Sequence, residues 1–149
     1  MSQSLSNVLV HIVFSTKERR ALLKNAEHRA AMHAHLGVVS DRLLCSAIVV
    51  GGTADHVHLL ARQARTITLA EWVKELKRVS SLWAKERGLA NFQWQSGYGA
   101  FSVSQSQSQT VASYIARQDE HHRRVGFQDE MRRHLQRHRV EWDERYMWD

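Results

Sequence analysis

The order of apolar segments predicts an α+β fold: a ferredoxin-like split β-α-β sandwich whose four-stranded antiparallel sheet carries helices on one face, with further helices at the C-terminus. Two apolar, β-branched runs at 7–16 and 43–50 are separated by a segment rich in Ala, Leu and Met. A Gly-Gly pair at 51–52 joins the second run to a third at 55–63, which is typical of a hairpin turn. An amphipathic helix and an aromatic strand segment follow, so the predicted order is β-α-β-β-α-β.

Two helices lie within this predicted sandwich. The first is predicted at about 25–36, with Gly37 as its C-cap. The second, at 68–88, is the clearest: Thr68 can cap its N-terminus and Gly88 its C-terminus. Its apolar stripe at helical spacing consists of Leu69, Trp72, Val73, Leu76, Val79 and Trp83.

The C-terminal half continues with a fourth strand and two more helices. The aromatic segment 92–104 has strand character, and the polar stretch 104–110 is too short to be a domain linker. A third helix is predicted at 110–124 and a fourth at 127–139, with a break near a glycine between them.

Size and composition indicate one globular domain spanning 1–149. The chain has 149 residues and 17.3 kDa, of which 43% are hydrophobic, and no apolar run is long enough to cross a membrane. The N-terminus lacks the features of a secretory signal. The single Cys45 excludes a disulfide within the chain and a Cys-rich zinc site, so we expect a reducing, cytoplasmic environment.

The charge balance favours a polyanionic partner. There are 21 Lys and Arg against 15 Asp and Glu, giving a net charge of +6 and an isoelectric point near 10.0. Nucleic acid is the first candidate for such a partner. The chain contains no proline, and no phosphate-binding loop of the nucleoside-triphosphatase type occurs in it.

His56 and His58 flank Val57 in the predicted third strand. A chain with 10 His produces such a spacing by chance, so the pattern alone carries little information. On a strand, however, residues i and i+2 point to the same face and can converge on one metal ion. The alternative is a pair of histidines on a half-exposed strand, hydrogen-bonded by water or neighbours.

Other histidines are weaker candidates for a metal site. His33 and His35 lie on predicted helix, where positions i and i+2 are about 200° apart and cannot bind one ion together. His134 and His138 are spaced i, i+4, but arginines surround them, which favours an ordinary basic helix. His11, in the middle of the first strand, is interpreted as a packed core histidine.

Tyr114 and Gln118 are spaced i, i+4 on the predicted third helix and therefore share a face, with Ile115 directed to the core. The residues after Gln118 are polar, which suits a phenol that takes part in chemistry. The alternative is a tyrosine that only packs in the core.

The segments "DHVHLL", "WQSGYGAFSVS" and "YIARQ" followed by "EHHR", in this order, resemble the small single-tyrosine transposases of the HUH superfamily. These proteins move bacterial insertion sequences as single-stranded DNA. The opening "HIVFSTKERR" and closing "WDERYMWD" are similar too, so the resemblance covers essentially the whole chain. The related REP-associated tyrosine transposases typically continue the tyrosine helix with Asn-Pro. This chain has no proline and resembles the insertion-sequence transposases proper more closely.

The resemblance implies that His56, His58 and Gln118 bind a metal ion and that Tyr114 is the nucleophile. Two imidazoles and one amide oxygen form a neutral, open ligand set. Such a set suits Mg²⁺ or Mn²⁺, and the imidazoles favour Mn²⁺. The family forms a 5′-phosphotyrosine bond. Such a bond keeps the energy of the broken phosphodiester, so strand exchange needs no nucleoside triphosphate.

Two groups of basic residues are candidates for contacts with DNA phosphates. The loop after the first strand carries Lys17, Arg19 and Arg20. The helix at 68–88 carries a basic stripe of Lys74, Lys77, Arg78 and Lys85. The alternative for the stripe is an ordinary solvated face. Trp94, Tyr98 and Phe101 are candidates either for stacking on unpaired bases or for core packing.

Single-stranded DNA, with hairpins at the ends of the mobile element, is the expected partner, and neither a membrane nor a nucleoside triphosphate is expected. The family also implies a homodimer in which the tyrosine helix of one subunit can complete the other's site, with 104–110 as the hinge. Two alternatives remain: a domesticated single-strand nicking endonuclease with the same site, and a nucleic-acid-binding protein whose histidines are structural.

Overall fold

The computed structural model describes residues 2–121 and 125–148. The strands within them are Leu9–Ser15 (β1), Ala47–Gly52 (β2), His56–Arg62 (β3) and Gly99–Val103 (β4). The α-helices are Ala26–Arg42 (α1), Leu69–Glu86 (α2), Ser108–Ala116 (α3), Gln118–His121 (α4) and Phe127–Arg137 (α5). None of the helices in the described part of the chain is long and apolar enough to cross a membrane.

The four strands form one antiparallel sheet in the order β2-β3-β1-β4. This order, with α1 between β1 and β2 and α2 between β3 and β4, confirms the predicted split β-α-β fold. The register places Val13 opposite His58 and Ser15 opposite His56 in the central strand pair.

Both faces of the sheet are covered because side chains alternate along each strand. Helices α1 and α2 pack on one face, against Val10, Ile12, Phe14, Val57, Leu59 and Ala61. The C-terminal helices α3 and α5 pack on the other face, where the apolar contacts are made by Leu9, Val13, Leu60, Phe101, Ile115, Phe127, Met131 and Leu135. The histidines of β1 and β3 lie on this second face.

Helix α2 begins and ends as the sequence predicts. Oγ1 of Thr68 accepts a hydrogen bond of 3.1 Å from the backbone N–H of Glu71. After the last helical residue, Glu86, Gly88 adopts a φ of 94°, a left-handed conformation that favours glycine at a helix C-terminus.

Helix α1 is longer than predicted, and the predicted C-cap at Gly37 is wrong. The helix continues to Arg42 because its buried face extends through Val39 and Ser40. The second strand consequently begins at Ala47 rather than at 43, after a turn in which Leu44 has a φ of 63°.

The Gly-Gly pair is not the hairpin turn: Gly51 and Gly52 are the last residues of β2, and the turn follows them. A Cβ on Gly51 would overlap the carbonyl oxygen of Ile115 in α3. The glycine therefore allows the backbone of α3 to pack directly on the sheet, which brings Tyr114 over β3.

The boundaries of three further elements differ from the prediction. Only residues 99–103 of the predicted strand 92–104 are in the sheet. The predicted helix at 110–124 is divided into α3 and α4, since Arg117 leaves the helical conformation with φ −106° and ψ 25°. Residues 122–124 lie outside the described residues. The fourth predicted helix ends at Arg137 instead of 139.

Candidate active site

His56 and His58 lie on the same face of β3, as their spacing on a strand requires, and this face is covered by α3 and α5. Their ring centroids are 5.2 Å apart. Both side chains are buried, so a metal ion between them would be screened from solvent on the sheet side.

The ring of His56 is oriented by the turn before β3. Its Nδ1 lies 2.8 Å from Oδ1 of Asp55 and 2.9 Å from Oγ1 of Thr53. Burial raises the pKa of the Asp55 carboxyl, but hydrogen bonds from His56 and Thr53 outweigh burial and lower it. Asp55 is therefore ionised at neutral pH and accepts a hydrogen bond from Nδ1, which leaves the lone pair of Nε2 directed into the site.

His58 is oriented by His11 of the neighbouring strand: Nε2 of His11 lies 2.7 Å from Nδ1 of His58. Burial lowers the pKa of His58 to about 4, and burial likewise holds the pKa of His11 well below its usual range. Both imidazoles are neutral at pH 7. The prediction that His11 is a buried histidine is confirmed, but it supports His58 rather than packing among apolar residues of the main core.

Gln118, the first residue of α4, is buried beside His56. Its Oε1 lies 3.2 Å from Nε2 of His56, and its Nε2 donates to the carbonyl oxygen of Tyr114 at 3.4 Å. The structure thus brings together the three residues expected to bind metal, although a continuous helix does not connect Tyr114 to Gln118.

Helix α5 contributes a carboxylate to the site that sequence reasoning missed. Oε1 of Glu130 lies 2.9 Å from Nε2 of His58 and 4.0 Å from Nε2 of His56. Oε2 of the same carboxylate lies 3.1 Å from Nε2 of His121. Glu130 is 2% exposed. A signal for it exists in the sequence, because Glu130 lies within the apolar stripe of α5 formed by Phe127, Met131 and Leu135.

The atoms that converge here are ligands suited to a divalent cation. One ring nitrogen each from His56 and His58 and one oxygen of Glu130 all lie within 4.8 Å of one another. The amide oxygen of Gln118 is beside them. Asp55 holds Nδ1 of His56, so Nε2 of the same ring faces two oxygen atoms, Oε1 of Gln118 and Oε1 of Glu130. A cation bound between these three atoms would stabilise the arrangement.

The phenol of Tyr114 reaches the same site. Its ring centroid is 5.8 Å from that of His58, and its hydroxyl oxygen is 3.3 Å from Nε2 of His134. Burial raises the pKa of Tyr114, and the negative charge of Glu130 raises it further. The phenol is therefore protonated in the metal-free protein and needs a proton acceptor before it can attack as a nucleophile.

His134, which contacts that hydroxyl, lies on a basic helix, α5, as predicted, but its ring is buried. The residue is 9% exposed, and its ring stacks on Phe101 at a centroid distance of 5.3 Å. Burial lowers its pKa to about 4, so the ring is neutral at pH 7 and one of its two nitrogens can accept a proton. His138 Nδ1 contacts the backbone oxygen of His134 at 3.0 Å.

His33 and His35 lie on α1, on helix as predicted. The ring of His35 stacks on Trp83 of α2 at a centroid distance of 4.3 Å and an interplanar angle of 7°. That contact gives His35 a packing role at the interface of α1 and α2.

The basic candidates for DNA contact differ in their surroundings. The ammonium of Lys77 donates to the carbonyl oxygens of Gln95 at 2.8 Å, Gly97 at 2.7 Å and Ser96 at 3.3 Å. Two others form exposed ion pairs, Arg78 with Glu75 and Arg20 with Glu18. Exposed side chains are those of Arg19, Arg20, Lys74, Arg78 and Lys85, whereas Lys17 is half-buried.

Of the three aromatic candidates for base stacking, Trp94 and Phe101 are core residues. Trp94 is 7% exposed and donates from Nε1 to Oγ of Ser80 at 2.9 Å, and Phe101 is 3% exposed. Tyr98, at 40%, is the exposed member of the group.

Paired imidazoles on a ferredoxin-like sheet, with a helical tyrosine beside them, define the class of tyrosine HUH transposases. Residues 4–118 match the family model described as "Transposase IS200 like". The chain therefore belongs to the IS200-like transposase family. The matched region contains His56, His58, Tyr114 and Gln118 and stops before α5.

Solved structures show the same fold. A candidate transposase from Deinococcus radiodurans R1 superposes with a TM-score of 0.62 at 19% identity, covering 77% of this chain and 95% of that one. A REP-associated tyrosine transposase bound to a REP hairpin superposes with a TM-score of 0.55 at 16% identity, covering 77% of this chain and 70% of that one. Among curated proteins, no sequence matches significantly.

Proposed function

We propose that this chain is a metal-dependent transposase that cleaves and rejoins single-stranded DNA through a covalent phosphotyrosine at Tyr114. The observation that carries the proposal is the position of the Tyr114 phenol, which lies against the ring of His58 within the group of buried potential metal ligands. Membership of the IS200-like family supports DNA cleavage as the activity.

His56, His58, Gln118 and Glu130 are the residues that would hold Mg²⁺ or Mn²⁺. A divalent cation bound there would polarise the scissile phosphate and offset the negative charge of Glu130. Asp55 and His11 fix the rings of the two histidine ligands, so the ligand atoms are positioned before DNA binds.

Tyr114 supplies the attacking oxygen. Its hydroxyl proton passes to Nε2 of His134, which lies 3.3 Å away and is neutral at pH 7. The phenolate oxygen bonds to phosphorus, and the bond from phosphorus to the neighbouring sugar oxygen breaks. The leaving sugar oxygen takes a proton from solvent and becomes a hydroxyl, while His134 returns its proton to solvent. The same hydroxyl, or that of another strand, can attack the phosphotyrosine and reform a phosphodiester without a nucleoside triphosphate.

Single-stranded DNA with hairpins is the proposed partner, supported by the REP hairpin in one structurally similar protein. Phosphate contacts are proposed for the basic residues of the β1 loop and α2, Lys17, Arg19, Arg20, Lys74, Lys77, Arg78 and Lys85.

A homodimer is also proposed. In the structure Tyr114 lies at the site of its own chain, and the proposed hinge 104–110 contains a 3-10 helix and the first turn of α3. An exchange of α3 between subunits would require this segment to straighten.

The decisive experiment is a search for a covalent adduct. Labelled single-stranded oligonucleotides with imperfect hairpins are incubated with the protein and Mn²⁺ or Mg²⁺, and adducts are resolved under denaturing conditions. Tyr114→Phe should abolish the adduct but retain DNA binding, and removal of the metal with a chelator should do the same. Tyr146→Phe is the matched control, since Tyr146 is 68% exposed in the C-terminal segment.

Other outcomes identify the alternatives. DNA binding without an adduct under any metal condition would favour a non-catalytic nucleic-acid-binding protein. Cleavage that survives Tyr114→Phe would indicate a hydrolytic nicking enzyme. An adduct that forms without strand transfer to a second oligonucleotide would favour a domesticated nicking endonuclease.

A further inference from the structure

A cavity of about 440 Å³ opens beside Tyr114, between strand β4 and helices α3 and α5. Cavities that bind small ligands commonly have volumes of about 300–1,000 Å³. The side chain of Tyr114 forms part of the wall, so a group attached to its hydroxyl would extend into or across this space.

The cavity has an apolar wall and a polar rim. Phe101 and Val103 of β4 and Val111 of α3 form the apolar part. Ser104, Gln107 and Thr110 contribute hydroxyl and amide groups. An apolar slot with hydrogen-bonding groups at its edge suits a planar nucleic-acid base, whose faces are apolar and whose edge is polar.

The opposite rim is basic. Arg133 and Arg137 are exposed, spaced i, i+4 on α5, and both line the cavity. Within the described residues, neither forms an ion pair with a carboxylate at 4.0 Å or less. The carboxylate that lines this cavity, Glu130, lies among imidazoles at its inner end. The accessible charge of the rim is therefore positive and suits phosphate.

We propose that this cavity binds the base of the nucleotide whose phosphate Tyr114 attacks, with Arg133 and Arg137 contacting the flanking backbone phosphates. The proposal rests on the proposed function, because it assigns one subsite of the same reaction. Hydrogen bonds from the polar rim to the base edge would make this subsite a determinant of the cleavage position. Helix α5, which lies outside the family match, would then contribute to substrate choice.

Binding to this subsite can be measured without cleavage. Thymidine and deoxyguanosine 3′,5′-bisphosphates are titrated into the protein by NMR, with the abasic deoxyribose bisphosphate as the reference probe. Val111→Trp, which fills the apolar slot, should weaken binding of the base-containing probes at least fivefold and bring their affinities close to that of the abasic probe. Leu82→Trp is the matched control, because Leu82 is 52% exposed on α2 and does not line this cavity.

A second variant covers the case in which Val111→Trp does not fold. Arg133→Ser with Arg137→Ser changes two exposed side chains and should weaken all three probes, the abasic one included, by a similar factor. Unchanged affinities in this double variant would overturn the arginine contacts. Unchanged affinities in folded Val111→Trp, or wild-type affinities that do not depend on the base, would overturn the base subsite.

The adduct assay separates this proposal from the proposed function. Where wild-type protein forms an adduct, replacing one nucleotide next to the mapped cleavage position with an abasic site should lower the yield at least tenfold. An adduct whose yield is insensitive to every abasic replacement and to Val111→Trp would overturn the subsite and leave the function intact. Base-dependent binding of the bisphosphates without any adduct would support the subsite and overturn the function.

Discussion

The carboxylate of Glu130 lies 2.9 Å from Nε2 of His58, so the C-terminal helix α5 closes a site whose histidines come from the sheet. A buried carboxylate is costly unless positive charge or hydrogen-bond donors surround it. The imidazoles that face Glu130 offset this cost only in part, because their ring nitrogens are also the atoms available to a metal ion. The cluster of His56, His58 and Glu130 could hold a metal ion, whose positive charge would offset this cost.

Glu130→Gln should weaken binding of Mn²⁺ to the protein by on the order of tenfold or more, because the charge of the ligand set falls by one while its size is unchanged. Isothermal titration calorimetry measures the affinity directly. Glu141→Gln is the control, since Glu141 is exposed beyond α5. Equal Mn²⁺ affinities for Glu130→Gln and the wild type would show that Glu130 is not a ligand.

His11→Phe should lower metal affinity by roughly 10- to 100-fold, the usual effect of losing a hydrogen-bond partner of a metal-binding histidine. Phenylalanine fills the space of His11 but leaves Nδ1 of His58 without its 2.7 Å contact, so the ring of His58 is no longer fixed. His11→Asn, which can still accept a hydrogen bond, should restore part of the affinity. If His11→Phe binds Mn²⁺ as tightly as the wild type, His11 serves packing alone.

The sheet and its long helices could be predicted because their signals are local. Alternation placed His56 and His58 on one face, and Thr68 and Gly88 marked the ends of α2. The boundary errors have tertiary causes: α1 passes Gly37 because its buried face continues, and Gly51 is needed for the close approach of Ile115. Neither contact is visible in a window of sequence.

The candidate site was predictable only in part for the same reason. Glu130 and His134 come from α5, which meets β3 only after the chain has folded back over the sheet. A charged residue within an apolar helical stripe was the available signal, but the surrounding arginines favoured an ordinary basic helix without a metal site. The sequence-based prediction for this segment considered the charges of residues adjacent in sequence. The burial of Glu130 and His134 depends instead on which face of α5 packs against the sheet.

Lys77→Met should destabilise the protein by about 1–3 kcal/mol, because its ammonium donates to three backbone carbonyls in the 95–97 loop. Lys74→Ala with Lys85→Ala should leave stability unchanged, since both side chains are exposed. If α2 binds DNA phosphates, this double variant should instead reduce the slope of log affinity against log salt by about 1–2. Thermal unfolding and fluorescence anisotropy at several salt concentrations measure the two effects. A loss of stability in the double variant would contradict the first expectation for Lys74 and Lys85, and unchanged stability in Lys77→Met would show that the three contacts of Lys77 do not stabilise the fold.

Acid should destabilise the protein through His33, a partly buried residue of α1. Burial lowers the pKa of His33 to about 4, and the positive charge of Arg29 contributes, against an ordinary value of 6.5. Between these two pH values the unfolded chain binds more protons than the folded chain at this position. The free energy of unfolding must therefore fall as the pH falls from 6.5 towards 4, by at most about 1.4 kcal/mol per pH unit.

His33→Leu removes this titration and should make the pH dependence of stability shallower in that window, while His58 and His134, whose pKa values burial also lowers to about 4, keep contributing. The measurement is the melting temperature from pH 8 to pH 4 in the presence of a chelator, so that metal binding by His56 and His58 does not contribute. Above pH 7 the variant should be at least as stable as the wild type, because Nε2 of His33 is buried and has no hydrogen-bond partner among the residues that the structure describes. Parallel curves for the two proteins between pH 6.5 and pH 4 would show that His33 does not control the acid sensitivity.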